Sequence, residues 1–266
     1  MDLQLEGKRA LVTGGSKGIG LAVARQLARE GVDLVIAARN KGELDAAAAA
    51  LAAETGRKVT GIVADTASDD SVKHLVAGAV AALGGLDILV NAAGKPGGQG
   101  APPKLAEITD ALFWDDVNVK VMGYLRVARE AAPHLAANGW GRIINISGLA
   151  ARSTGSTIGS MRNVAVAALT KNLADELGPR GINVTVVHPG LTRTEKTVPL
   201  IAAKAAASGK SEAQIEAGMV SNVTIGRLVD AAEVADIVAF LASPRSVAIN
   251  GDAIACGGGI RGAIHY

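Results

Sequence analysis

Aromatic side chains are almost missing from this chain. Two Phe, two Trp and two Tyr make up 2% of its 266 residues, so the core must be aliphatic, and chemistry that needs a phenol has only Tyr124 and Tyr266 to draw on. Cysteine is scarcer still. Cys256 stands alone, which excludes an internal disulfide, and without a Cys/His cluster no metal site is expected. No apolar run approaches the ~18 residues that span a bilayer, and Met1 to Glu6 lack the basic-then-apolar order of a secretion signal. A cytoplasmic protein with no membrane partner is the expectation. Excess charge is missing too: 27 Lys and Arg face 25 Asp and Glu, a formal net charge of +2. With no basic run and no aromatic-basic interleaving, nucleic acid is not an expected partner.

What is present is a globular composition. Hydrophobic residues make up 49% and charged residues 20%, the mean hydropathy is +0.29, and 33 glycines allow many tight backbone approaches. Short β-branched or apolar runs stand at Arg9–Thr13, Leu34–Ala37, Val59–Ala64, Ile88–Asn91, Arg142–Ser147, Asn183–His188 and Ala253–Cys256. Each reads as a strand buried on both faces. Between them, apolar residues recur at helical spacing over Gly20–Glu30, Lys41–Thr55, Asp69–Leu83, near Asp110–Asn138, near Ser160–Leu177 and over Ala231–Ala242. This alternation implies right-handed βαβ crossovers. The expected fold is α/β: a Rossmann-like doubly wound parallel sheet of about seven strands with helices on both faces. With no composition shift and no internal repeat, residues 1–266 read as a single domain. Two segments break the alternation, the Gly- and Pro-rich Lys95–Pro103 and a long insertion over Leu191–Thr224. Both leave the carboxyl ends of strands, where open parallel sheets build their binding crevice, so both are expected pocket walls.

The first strand runs into Thr13-Gly14-Gly15-Ser16-Lys17-Gly18-Ile19-Gly20 and straight on into a helix. Glycines at 14, 18 and 20 permit a tight turn, a close approach of backbone to a pyrophosphate, and close helix–strand packing, while the helix N-terminus offers free N–H groups to the anion. After the second strand, where an acidic residue would hold the 2′-hydroxyl of NAD, the chain has Ala37-Ala38-Arg39-Asn40. Arg39 can pair with a 2′-phosphate and Lys17 adds a second cation, which points to NADP(H) over NAD(H).

With this loop, Asp65 after the third strand, Asn91-Ala92-Ala93-Gly94 after the fourth, Asn118 in the long helix, and Pro189-Gly190 with Thr194 after the sixth, the chain resembles the short-chain dehydrogenase/reductase family over essentially its full length. The resemblance implies a one-domain Rossmann fold, a homotetramer or homodimer joined through its two long central helices, and a small-molecule substrate. It implies that Asp65 touches the adenine, that Asn91 to Gly94 line the cofactor, and that Pro189 to Thr194 flank the nicotinamide. The implied cofactor set is Gly14, Ser16, Lys17, Gly18, Ile19, Gly20, Arg39, Asp65, Thr66, Asn91, Ala92, Ala93, Gly94, Asn163, Pro189, Gly190, Thr192 and Thr194.

The family's proton chemistry rests on an Asn, a Ser, and a Tyr followed four positions later by a Lys, because hydride transfer leaves an alkoxide that must take a proton. Asn118 matches. Ser147 falls one position early. The helix ending Ala165-Val166-Ala167-Ala168-Leu169-Thr170-Lys171 fits the family's segment and places Gly159 where the tyrosine belongs and Asn163 where the lysine belongs. No Tyr-x-x-x-Lys exists anywhere in the chain. Asn118, Ser147 and Arg162 are therefore the candidate catalytic residues, with Arg162 suited to anchoring an anionic group. His188, before Pro189 at a strand end, reads as structural, and Arg193 as a clamp for a carboxylate at the pocket mouth. His265 or Tyr266 on the Gly-rich tail could reach a partner subunit's pocket. Three functions remain open: an NADP(H)-dependent oxidoreductase with atypical proton delivery, a non-redox enzyme with a structural nucleotide, and a nucleotide-binding protein without chemistry.

Overall fold

A computed structural model describes residues 1–95, 101–262 and 264. Part of the expected Lys95–Pro103 wall, and His265 and Tyr266 of the tail, lie outside the described residues. In chain order the elements are β1 (Arg9–Thr13), α1 (Gly18–Arg29), β2 (Asp33–Ala38), α2 (Lys41–Thr55), β3 (Val59–Val63), α3 (Asp69–Leu83) and β4 (Ile88–Asn91). The second half has α4 (Asp110–Val117), α5 (Gly123–Leu135), β5 (Gly141–Ile146), α6 (Thr157–Leu177), β6 (Ile182–Pro189), β7 (Thr192–Arg193), α7 (Thr197–Ser208), α8 (Glu212–Met219), β8 (Val229–Asp230), α9 (Ala231–Ala242) and β9 (Ala253–Cys256).

Seven strands form one sheet in the order β3-β2-β1-β4-β5-β6-β9, and every neighbouring pair is parallel. Side chains on successive strand residues point to opposite faces, and the core divides accordingly. Ala10, Val12, Leu34, Ile36, Ile88 and Val90 pack with α1, α2 and α9 on one face. Leu11, Val35, Ala37, Leu89 and Ile143 pack with α3, α5 and part of α6 on the other. Tyr124 is the single aromatic residue in the buried core of the described residues, so the scarcity of aromatics is met by branched aliphatics and alanine.

Three expectations are corrected. The runs at Val59 and Ala253 are the sheet's two edge strands, and Val63 is 51% exposed; an edge strand has a neighbour on one side only, so it is not covered like a central one. The stretch Asp110–Asn138 is not one helix. A π turn over Asn118–Met122 separates α4 from α5, with the Gly123 N–H reaching back to the Asn118 carbonyl. The Leu191–Thr224 insertion has its own secondary structure: β7 pairs with β8 (Thr192 with Val229, Arg193 with Asp230), and α7 and α8 follow β7.

Chain order reverses between β1 and β4, which leave in opposite directions from the middle of the sheet. That switch point opens a crevice at the carboxyl ends of the strands, where Thr13 and Asn91 lie side by side in register. Packing and edge exposure set the expected stabilities. Leu75→Ala, at a fully buried position of α3, should cost about 2–5 kcal/mol, whereas Val63→Thr on the exposed edge should stay within about 0.5 kcal/mol of wild type, both read by urea denaturation.

Candidate active site

The glycine turn is shaped by backbone contact. Gly14 adopts a positive φ of 69°, and a Cβ there would lie 2.8 Å from the Ala92 carbonyl and the Ala93 nitrogen. A Cβ on Gly20 would lie 2.2 Å from the Gly14 carbonyl oxygen. The Ala92 N–H donates to Thr13 Oγ1 at 3.2 Å, and the Gly15 N–H donates to the Ala37 carbonyl, also at 3.2 Å. Loop, β4 and the end of β2 are thereby locked together. Lys17, the N-cap of α1, makes no capping bond with its own side chain. Instead Glu195 Oε2 accepts from the Gly18 N–H at 3.2 Å, so the helix start already holds an anionic oxygen. The residues present fit a dinucleotide: the turn leaves no room for side chains and the helix end accepts an anion. Segment 190–195 closes over it, with Thr194 Cγ2 3.7 Å from a Cβ on Gly18.

Around this cradle, Arg39 is exposed just past β2. Lys17 is bound by Glu43 Oε1, and Asn40 caps α2 by accepting from the Glu43 N–H. Asp65 Oδ1 accepts from the Ala67 N–H at 3.0 Å, and Thr66 Oγ1 donates to the Val119 carbonyl at 3.2 Å. Asn91 Nδ2 donates to Asn145 Oδ1, Asn145 Nδ2 donates to Thr170 Oγ1, and Asn91 Oδ1 is buried without a partner among the described residues. Ser16 lies in the turn and Ile19 in the first turn of α1, while Ala93 and Gly94 follow β4, the Ala93 N–H donating to Thr13 Oγ1 at 3.4 Å. After β6, Thr192 Oγ1 donates to the Gly190 carbonyl, and Thr197 Oγ1 accepts from the Thr194 N–H. Pro189 is paired in register with Cys256.

The catalytic candidates separate. Ser147 and Asn163 come together: Ser147 Oγ donates to the Asn163 carbonyl at 3.1 Å and lies 3.2 Å from Asn163 Oδ1. Asn118 opens the π turn, and its carbonyl accepts from Arg126 Nη1. Arg162 is buried and held by Asp116, and its Nε has no partner among the described residues. Gly159 lies beneath the cap of α6, where a Cβ would meet Ser156 Oγ at 2.7 Å. Arg193 is engaged by Glu216 and, at 3.6 Å, by Asp230; two carboxylates already neutralise it, which removes it as a free clamp. Tyr124 is no phenol donor to the pocket, since its hydroxyl donates to the Ile146 carbonyl at 2.9 Å and burial pushes its ionisation far up.

Sequence reasoning passed over Lys120. This lysine is 7% exposed, and its ammonium donates to the Ser147 carbonyl at 3.0 Å and to Asn163 Oδ1 at 3.1 Å. Burial above all, and then the charge of Arg162, lowers its pKa to about 7, while Asp116 opposes the shift. The available signal was a lysine two positions beyond Asn118, on a helix whose neighbours are apolar.

A family model described as enoyl-(acyl carrier protein) reductase matches residues 14–261. The chain is 36% identical over 261 residues to dehydrogenase/reductase SDR family member 4 of Oryctolagus cuniculus, covering 96% of this chain and 94% of that protein. Among solved structures, L-sorbose reductase from Gluconobacter frateurii, complexed with NADPH and L-sorbose, superposes with a TM-score of 0.93 at 30% identity, covering 99% of this chain and 100% of that one. An actinorhodin polyketide ketoreductase with NADPH gives 0.87 at 32% identity, covering 96% and 98%.

His188 is structural in its contacts, as expected. It is 1% exposed, and its Nδ1 accepts from the Gly148 N–H at 3.4 Å. Burial, then Arg152 and Lys120, lowers its pKa from 6.5 to about 4. The folded state therefore refuses a proton that the unfolded chain accepts below about pH 6.5. Stability should fall as pH drops through that window, by on the order of 1–3 kcal/mol between pH 7 and 4 relative to His188→Gln, measured by urea denaturation.

Proposed function

Since the chain belongs to the short-chain dehydrogenase/reductase family of oxidoreductases, we propose that it is an NADP(H)-dependent enzyme acting on a small carbonyl or alcohol, with proton delivery that does not use a tyrosine. The observation that carries this reading is the cradle around Gly14. Its turn is tied to the ends of β2 and β4, with Arg39 exposed where the adenosine ribose of a bound dinucleotide would end. Gly14, Ser16, Gly18, Ile19 and Gly20 would hold the pyrophosphate, with Asp65 and Thr66 at the adenine. Asn91 to Gly94, Pro189, Gly190, Thr192 and Thr194 would line the nicotinamide half, and Asn163 would face its ribose.

Arg39 would pair with the 2′-phosphate, and Lys17, now bound to Glu43, would exchange a carboxylate for that phosphate. The NADPH complexes of two structural neighbours support the choice of nucleotide. When bound, the nicotinamide supplies or removes a hydride at the carbonyl carbon. The chain's own work is to orient the substrate and to hold a proton near its oxygen. Asn118 and Ser147 would position that oxygen, and Arg162 would hold Asp116 and the α4 side of the pocket in place.

Gly159 and Asn163, at the positions of the family's tyrosine and lysine, favour a second reading in which the nucleotide is structural and the pocket performs non-redox chemistry. A carbonyl panel separates the two. NADPH oxidation, followed at the nicotinamide absorbance, supports the first reading; product without any absorbance change supports the second.

Self-association is part of the same proposal. Met161 and Val164 are 52% and 50% exposed on α6, so a dimer or tetramer formed through the central helices would cover them. No described helix is long and apolar enough to cross a membrane, which fits the proposed cytoplasmic location.

Two outcomes are expected. Arg39→Glu should weaken NADPH binding by about 10–100-fold, the loss of one charge-assisted contact, and leave NADH binding unweakened, by fluorescence titration. Light scattering at micromolar concentration should give a dimer or tetramer mass; a monomer would refute the association.

A further inference from the structure

We propose that Lys120 is the catalytic acid and base of this chain, its ammonium standing where Ser147 and Asn163 converge. This rests on the oxidoreductase reading and says which group handles its proton.

Among the described residues, four other titratable side chains near Ser147 and Asn163 are unsuited to the task. Tyr124 is buried with its hydroxyl committed to the Ile146 carbonyl. His188 uses its Nδ1 as an acceptor for the Gly148 N–H, and burial keeps it neutral. The Cys256 thiol is pushed up to about 11 by burial. Arg162 is permanently charged and held by Asp116. Lys120 remains.

Its placement follows from the π turn. Inserting one residue into the helical register between Asn118 and Gly123 shifts which side chains face inward, and such turns recur at functional sites. Lys120 turns in. Its stem passes Gly94, with Cδ 3.5 Å from a Cβ placed there, and Gly94 lies three residues beyond the end of β4. The ammonium then meets two acceptors, the Ser147 carbonyl at 3.0 Å and Asn163 Oδ1 at 3.1 Å. An ammonium has three N–H groups, so with two acceptors among the described residues one is left for a ligand oxygen.

Asn163 is explained by the same contact. A lysine at 163 would set two ammonium groups against each other, whereas asparagine offers an oxygen to the cation already present. The cation has moved from α6 to the π turn, and the residue left behind has become its acceptor.

The charged neighbours are Arg162 from α6 and Asp116 from α4, which are paired with each other, and His188 from β6, with Arg152 beyond it. Burial first, and then Arg162, bring the lysine to about 7 against the opposing charge of Asp116, so both protonation states are populated at neutral pH, as an acid–base catalyst requires. In the reductive direction, a hydride adds two electrons to the carbonyl carbon and the C=O π bond opens onto oxygen. An N–H bond of Lys120 breaks as the new O–H bond forms, and the neutral amine regains its proton from water. Oxidation runs the same transfer in reverse.

The test uses the full chain with NADPH and the carbonyl compound that wild type reduces fastest. Lys120→Met should lower kcat by about 10²–10⁴-fold while NADPH affinity stays within about threefold. The reductive rate of wild type should fall as pH rises through about 7, and this limb should vanish in the variant. Lys120→Arg keeps the charge and the length but cannot give up its proton, so it should be equally slow; an active Lys120→Arg overturns proton transfer by this residue. Without any substrate, NMR of isotope-labelled lysine should show one side chain, absent from Lys120→Met, that titrates near 7 and shifts on addition of NADP⁺. A signal indifferent to NADP⁺ overturns the assignment. Lys120→Met at the wild-type rate with an unchanged pH limb overturns the Lys120 assignment alone, whereas a wild-type chain that never oxidises NADPH with any carbonyl overturns the oxidoreductase reading as well.

Discussion

At the carboxyl end of β1, backbone segments meet at distances that admit no side chain. A Cβ on Gly14 would collide with the backbone at Ala92 and Ala93, and a Cβ on Gly20 with the Gly14 carbonyl. Because of that contact, α1 starts directly behind the turn, β4 emerges directly beside it, and the crevice between them has a floor made of peptide groups. Peptide N–H groups and a helix start carry partial positive charge in fixed positions. Glu195 Oε2 already occupies one of them. The location of the nucleotide cradle, the wall formed by segment 190–195 and the orientation of the pocket all follow from this single close approach.

A second constraint operates one strand further along the sheet, where polar groups are buried and must satisfy one another. Asn91, Asn145 and Thr170 form a chain of hydrogen bonds that joins β4, β5 and α6. Beside it, Ser147, Asn163 and Lys120 join β5, α6 and the π turn. Buried polar networks are stable only when nearly complete. Here the Ser147 carbonyl and the Asn163 amide oxygen both accept from the Lys120 ammonium. Such a cluster costs stability, since a buried ammonium is poorly solvated, and the cost is tolerated where a proton has to be held.

Local pattern made most of the frame legible. The runs at Arg9, Ile88 and Ala253 form strands with the expected bounds, and Lys41–Thr55, Asp69–Leu83 and Ala231–Ala242 form helices as expected; periodicity and short loops suffice for these because each element buries one face against the sheet. Other features left no local trace. Val59 and Ala253 belong to edge strands, and strand order is a property of the whole sheet. The π turn at Asn118 depends on one backbone bond from Gly123, which no residue pattern announces. Thr192 and Val229 pair across 36 intervening positions, too briefly for either strand to show alternation.

The sequence by itself determined the parallel α/β fold, the glycine cradle after β1, and the absence of a tyrosine–lysine pair, since an inventory of two tyrosines, with no lysine four positions after either, does not depend on any alignment. Tertiary structure alone decided which cation stands beside Asn163. Lys120 and Asn163 are 43 residues apart, and nothing about either residue in isolation distinguishes a surface lysine from a buried one. Only the packing of the π turn against α6 and the end of β5 removes water from that ammonium, gives it two acceptors, and sets its proton within reach of neutral pH.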